Sequence, residues 1–152
     1  MLEISAFHPW DLDDLEIQDN QPSMAQCLTA SPNLVEQLTN TPFACTASDE
    51  AGVILVAGVY ELYPGVAECW GLIGKRFGEY SISIHRKALD ILETLHNDYG
   101  YYRLQMMCQA DFKEANRWAR MLGFKEEGVM RRYGIWDTDY VLYAKIQEKT
   151  NG

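Results

Sequence analysis

The sequence predicts an α+β fold built on a mixed, mostly antiparallel sheet of about seven strands, and three observations carry that prediction. β-rich runs come as hairpins in the middle and at the end of the chain, Phe43 to Ile73 and Phe124 to Ile146. Two stretches with apolar residues at helical spacing lie between them, parted by one apolar run, Tyr102 to Cys108. Hairpins grouped apart from helices mark an α+β architecture rather than a strict strand-helix alternation. The 152 residues suit about one domain, and 47% hydrophobic with 23% charged residues is a composition that can bury a core. We expect a single domain over 1–147 and a polar C-terminal tail over 148–152.

Leu2 to Phe7 alternates like a short strand. His8 to Asp19 is acidic, carries Trp10, Leu12, Leu15 and Ile17, and has Pro9 where a helix accepts one, in its first turn. Gln21 to Asn40 reads as two short helical pieces broken at Ser31-Pro32, because proline cannot continue a helix and pushes the residue before it out of the helical region. Phe43 to Ser48 and Val53 to Leu62 form a hairpin across Asp49-Glu50-Ala51-Gly52, and Tyr63-Pro64-Gly65 turns the chain into a third antiparallel strand, Val66 to Ile73. Ser81 opens the strongest helix, with Ala88, Leu89, Ile91, Leu92, Leu95 and Tyr99 on one face and Gly100 as its stop. After the Tyr102 strand, Asp111 and Glu114 read as the capping box of a second helix. Its stripe is Ala115, Trp118, Ala119 and Leu122, and Gly123-Phe124 supplies a left-handed end followed by an apolar residue. Phe124 to Tyr133 and Thr138 to Ile146 close the chain as a hairpin around Gly134 to Asp137.

Composition narrows the function. With 13 Lys+Arg against 22 Asp+Glu the net charge is −9, so nucleic acid is a disfavoured partner. The longest apolar stretch, Val53 to Tyr60, falls far short of the roughly 20 residues of a membrane helix, and Met1 to Trp10 has no basic segment followed by an apolar one; a cytoplasmic location without membrane association is expected. Cys27, Cys45, Cys69 and Cys108 never form Cys-x-x-Cys, and the three histidines lack His-Glu-x-x-His spacing, so no metal site is expected and the cysteines read as small buried thiols.

The segment between the Val66 strand and the Ser81 helix is where loop amides and a helix N-terminus could take an anion, needing glycine where the backbone approaches closely. It reads Lys75-Arg-Phe-Gly78-Glu-Tyr80. Downstream stand Asp111-Phe-Lys-Glu-Ala-Asn-Arg-Trp-Ala-Arg-Met-Leu-Gly-Phe124, Glu127-Gly-Val-Met-Arg-Arg132 and Asp139-Tyr-Val-Leu-Tyr143. With the order of elements, these resemble the GNAT superfamily of acyl-CoA-dependent N-acetyltransferases over nearly the whole chain. The C-terminal half resembles the ribosomal-protein N-acetyltransferase branch, and the spacing from Cys69-Trp70 to Gly123 is similar to that of short GNAT-like proteins of tailed bacteriophages.

The resemblance implies a GNAT-like sheet flanked by helices on both faces, and acetyl transfer from acetyl-CoA, as co-substrate, to a primary amine. The acceptor would be an amine-bearing substrate, with a basic protein or peptide suited to the −9 charge. It also implies acetyl-CoA contacts along Leu72, Ile73, Lys75, Arg76, Gly78, Tyr80 and Ser81: main chain at Leu72 and Ile73 polarises the thioester carbonyl, and the loop holds the pyrophosphate. Where the family loop has Arg/Gln-x-x-Gly-x-Gly/Ala, Tyr80 replaces the second small residue and Glu79 adds a like charge beside the phosphates. Glu68 is the candidate catalytic base, two and four positions before Trp70 and Leu72 on one strand face; the alternative is a solvated edge glutamate. The tyrosine that protonates the leaving thiolate in many relatives is Ala119 here, and the branch's Asn and Ser are Phe112 and Ala115; Asn116, Tyr102 and Tyr133 are the nearby substitutes, each also readable as a capping, packing or surface residue. A second function class follows from these departures, a catalytically inactive GNAT-fold phage protein acting through protein contacts as a virion component or host-interaction factor, which would sit in the host cytoplasm.

Overall fold

In the computed structural model of the chain the described residues are 1–16 and 43–148. All seven expected strands are among them: β1 (Glu3–Ala6), β2 (Phe43–Asp49), β3 (Gly52–Tyr63), β4 (Val66–Ile73), β5 (Arg103–Gln109), β6 (Lys125–Gly134) and β7 (Thr138–Ile146). They form one sheet in the order β1-β2-β3-β4-β5-β7-β6. The pairs β1/β2, β2/β3, β5/β7 and β6/β7 are antiparallel, while β4 and β5 run parallel, as a crossover through a helix allows. That helix is α1 (Ser81–Asn97), and α2 (Lys113–Met121) joins β5 to β6. The chain divides into two compact units, Met1–Tyr60 with Trp70–Ile84, and Glu61–Cys69 with His85–Gly152.

In the first unit, Gly52 at φ +135° opens β3 after the turn, and Asp49 accepts the Ala51 N–H at 2.9 Å. Phe7, Leu12, Leu15 and Val56 make a buried cluster, against which Ala44, Val53, Trp70 and Leu72 pack. The ring of Trp70 lies so close over β3 that a Cβ on Gly58 would come within 2.5 Å of it. Of the segment His8 to Asp19 expected as a weak helix, the described residues form a 3-10 turn, Pro9–Asp13. Asp11 bends back to accept the His8 N–H at 2.9 Å and the Thr46 hydroxyl of β2 at 2.8 Å, so its carboxylate ties a tight turn to the sheet while Leu12 and Leu15 go inside. The two helical pieces expected around Ser31-Pro32, and Cys27, lie outside the described residues.

In the second unit α1 buries Leu92, Leu95 and His96, and the chain turns at Gly100 with φ +77°. Ala88 and Ile91 of the expected stripe are half-buried, and two members are exposed: Leu89 is one residue off the line through Ile84, Ala88, Ile91 and Leu95, and Tyr99 lies beyond the helix end. The capping box is also absent. Phe112, not Asp111, occupies the N-cap, without a side-chain cap bond. Burial of the Phe112 ring fixes the chain there, and Asp111 stays in solvent. Asn116 serves the entry to the helix instead, donating to the carbonyls of Gln109 at 2.9 Å and Phe112 at 2.7 Å. The C-terminal end is as expected: Gly123 takes φ +95°, its N–H donates to Arg120 O, and Phe124 N–H donates to Ala119 O, a Schellman pair. Lys145 Nζ adds a bond to the Leu122 carbonyl at 2.7 Å.

Candidate functional site

Glu68 lies on β4, which has β3 on one side and β5 on the other, so the edge-residue reading does not hold. The residue is 9% exposed. The parallel register pairs Val66 with Arg103, Ala67 with Leu104 and Glu68 with Gln105, and there the ladder ends. Gln105 Nε2 donates to Glu68 Oε1 at 3.2 Å across that last pair. Opposed residues of neighbouring strands share a face. Glu68, Gln105 and, through the β5/β7 register, Ala144 therefore point to one side, and Cys108 and Tyr143 to the other.

On that other side α2 packs, and a buried polar group joins it to β7. Tyr143, 1% exposed, donates its hydroxyl to Asn116 Oδ1 at 2.8 Å and accepts Arg120 Nη1 at 3.1 Å. Burial pushes the Tyr143 phenol up from its ordinary value, so it remains a donor. Asn116 thus spends its amide on structure. Tyr102 is exposed with its ring against Gly65, and Tyr133 is exposed at the edge of Tyr140, so these three residues have packing and surface roles that the structure makes explicit. Trp118 donates its indole N–H to His85 Nδ1 at 3.0 Å.

The loop after β4 belongs to the first unit. Gly74 donates to Ile54 O at 2.8 Å and Lys75 to Glu16 O at 2.8 Å, and a 3-10 turn, Phe77–Tyr80, runs straight into α1. Two of its side chains turn to one carboxylate. Arg76 forms a two-pronged ion pair with Asp49, one prong Nη1 to Oδ1 at 3.0 Å, and the Tyr80 hydroxyl donates to Asp49 Oδ2 at 2.8 Å. The Arg76 hydrogen bond, with Tyr80 behind it, holds the Asp49 carboxyl well below the usual carboxylate range, and Asp49 in turn raises the Tyr80 phenol. Arg76 also reaches Glu79 at 3.0 Å. Gly78 is different: a Cβ built on it meets nothing within 4 Å, and its φ is not left-handed, so neither packing nor conformation asks for glycine there. An approaching phosphate is a ligand that would.

Cys45 and Cys69 are half-buried free thiols and Cys108 a buried one. Burial pushes the Cys69 thiol up to about 12 and the Cys108 thiol up to about 11. Among the described residues no cluster of His, Cys, Asp or Glu could hold a metal ion, and no helix is long and apolar enough to cross a membrane.

Glu68 and the loop are legible as candidates in the sequence, whereas the polar partners Arg103, Gln105 and Asp49 are not, and Glu127 and Tyr143 stand there only as members of the quoted motifs, without these contacts. Arg103 and Gln105 stand two apart on one strand, which was a visible signal of a shared face. The partners of Glu127 and Asp49 are not legible, because only the sheet register and the fold of the loop bring Glu127 to Arg103 and Asp49 to Arg76.

No protein-family model matches the chain, and no curated protein matches it in sequence. Solved structures do. The chain is similar to a GNAT-family acetyltransferase from Bacillus anthracis, with 15% identity over 95% of this chain and 94% of that one at a TM-score of 0.68. It is similar to the ribosomal-protein-S18-alanine N-acetyltransferase of Escherichia coli, with 15% identity over 99% and 97% at 0.71. It is similar also to the microcin C7 self-immunity acetyltransferase MccE, solved with acetyl-CoA and AMP, with 18% identity over 90% and 78% at 0.64. The protein has the fold of the GNAT acetyltransferases.

Proposed function

We propose that the protein transfers an acetyl group from acetyl-CoA to a primary amine, with Glu68 as the general base. The observation that carries this reading is a carboxylate buried at the last rung of the parallel ladder and hydrogen-bonded there. A buried acid is costly to keep unless something uses or compensates it. Acetyl-CoA, when bound, supplies the activated acyl group. The open backbone at Gly78, together with Lys75 and the amides leading through Tyr80 to Ser81, holds the pyrophosphate, and main chain at Leu72 and Ile73 holds the pantetheine arm. Arg76 and Tyr80 contribute by fixing the loop through Asp49 rather than by reaching the phosphates, which differs from the direct contacts expected of them. Glu68 takes the proton that the attacking ammonium must lose before its lone pair can react; as the C–N bond then forms, the thioester C–S bond breaks, and CoA leaves as a thiolate that receives the second proton lost by the amine nitrogen. The acceptor is an amine on a protein, peptide or small cation; fold neighbours act on a ribosomal protein and on spermidine.

Thermal denaturation with increasing acetyl-CoA tests the reading, because a ligand that binds only the native state raises the melting temperature. A concentration-dependent rise, followed by acetylation of a lysine peptide, an N-terminal peptide or a polyamine that Glu68→Gln slows by about 100-fold or more, is expected. Gly78→Val removes the rise while leaving the ligand-free melting temperature in place, since a Cβ there meets no neighbour within 4 Å. No rise in the unmodified protein refutes acetyl-CoA binding and leaves the inactive, contact-making reading in its place.

A further inference from the structure

Glu68 belongs to a chain of polar side chains in the second unit. Gln105 Nε2 donates to Glu68 Oε1 at 3.2 Å, Arg103 Nε donates to Gln105 Oε1 at 3.1 Å, and Arg103 Nη1 and Nη2 donate to the two carboxylate oxygens of Glu127 at 3.1 and 2.6 Å. The residues come from β4, β5 and β6, and Arg103 and Gln105 alternate along β5 onto the Glu68 face. A glutamine amide can rotate by half a turn and present either a donor or an acceptor. Facing a carboxylate, the wrong end repels. A guanidinium has only donors, so Arg103 can accept just one orientation of Gln105, the one that keeps oxygen on its own side and NH2 on the side of Glu68. Arg103 in turn cannot swivel, because Glu127 grips both prongs of its fork. Its charge is fixed as well: the Glu127 bond raises the Arg103 pKa, and Arg103 lowers that of Glu127.

We propose that Arg103 and Gln105 are positioning residues for Glu68, with Glu127 anchoring Arg103, so that the base keeps one orientation and a constant donor on Oε1. The assignment rests on the reading of Glu68 as the base. It follows from direction: every bond in the chain points its donor toward the next acceptor, and reversing any one would set two acceptors or two donors face to face. The anchor lies at the margin of the core, since Arg103 and Glu127 are both partly exposed.

The test uses Arg103→Leu and Gln105→Leu, each alone and combined with Glu68→Gln, with two readouts. The first is independent of turnover. In 15N-labelled protein the side-chain NH2 of Gln105, assigned by its loss in Gln105→Leu, is expected apart from the exposed glutamine amides, and Arg103→Leu is expected to return it to their position. An unmoved resonance in Arg103→Leu overturns the chain. The second is kinetic, on acetyl-CoA and the peptide or polyamine acetylated by the unmodified protein. Each single variant is expected to lower kcat about 10- to 100-fold with the KM for acetyl-CoA unchanged, the scale of a misplaced catalytic group, and to lower it no further in the Glu68→Gln background. The same loss in both backgrounds marks a merely structural role and overturns the proposal, as does an undiminished kcat in the single variants. Undiminished turnover in Glu68→Gln itself is a separate result, which refutes Glu68 as base and with it any positioning of that base.

Discussion

Replacing Tyr143 with phenylalanine removes one oxygen from a place where the structure gives no substitute. The hydroxyl is the donor to Asn116 Oδ1 and the acceptor for Arg120 Nη1, and Tyr143 and Asn116 are 1% and 7% exposed. The ring stays, so packing is preserved, and the change is confined to hydrogen bonding. Loss of a typical net bond costs about 1 kcal/mol, and leaving a buried amide oxygen without a donor adds about 1–3 kcal/mol. Arg120 lies at the surface and recovers its bond from water, which removes that part of the loss. A destabilisation of about 2–4 kcal/mol is the expected sum, lowering the melting temperature by about 4–16 °C in a chain of this size. Urea unfolding at pH 7 measures it, with the slope unchanged if only the folded state is affected. Asn116→Ala costs more, because two helix-entry carbonyls lose their donor, but the double variant should cost less than the sum, both partners of one bond having gone. A loss of less than 0.5 kcal/mol in Tyr143→Phe, or strict additivity in the double variant, would refute the claim that this pair anchors α2.

Three further outcomes are expected. Gly58→Ala puts a Cβ 2.5 Å from the Trp70 ring and 2.7 Å from the Phe43 carbonyl, and the backbone oxygen cannot withdraw, so urea unfolding should show a loss of about 1–3 kcal/mol. Cys69 and Cys108 hold their protons more tightly folded, about 12 and about 11 against 9.0 for a free thiol; their contribution is therefore complete below about pH 9 and lost progressively as pH rises from there through the folded values, and Cys69→Ala with Cys108→Ala should flatten the fall in melting temperature on the alkaline side. Asp49 has the opposite sign: its carboxyl is depressed in the folded state, so its contribution is present above the ordinary value of 3.8 and lost as pH falls through the folded one. Asp49→Asn should be less stable at neutral pH, and its melting temperature should converge on that of the unmodified protein as the solution is acidified below about pH 4.

Local signals carried most of the fold into the sequence. Gly52, Gly100 and Gly123 take the left-handed conformations their turn and helix-end positions suggested, and Pro64-Gly65 turns β3 into β4 as read. The errors fell where a distant partner decides. Pro9–Asp13 tightens into a 3-10 turn because Asp11 meets Thr46, 35 residues away, and α2 begins at Lys113 because Phe112 is needed inside. The site divides in the same way. Alternation along β4 pointed to Glu68, but its partner Gln105 is 37 residues on, and Asp49 meets Arg76 across 27 and Tyr80 across 31. Those separations are set by strand register and loop path, which no spacing within a single element encodes.

α2 has nine residues, fewer than an isolated helix needs to persist in water. Both ends are nevertheless fastened, the first by Asn116 and the buried Phe112, the last by Gly123, Phe124 and the Lys145 bond to Leu122. Lys145 and Tyr143 sit on β7, so the fastenings lead into the sheet rather than along the helix. A helix held this way has no free end from which to fray. In native-state hydrogen exchange its amides should open together with those of β5 and β7, with one shared free energy, instead of exchanging progressively from the termini inward.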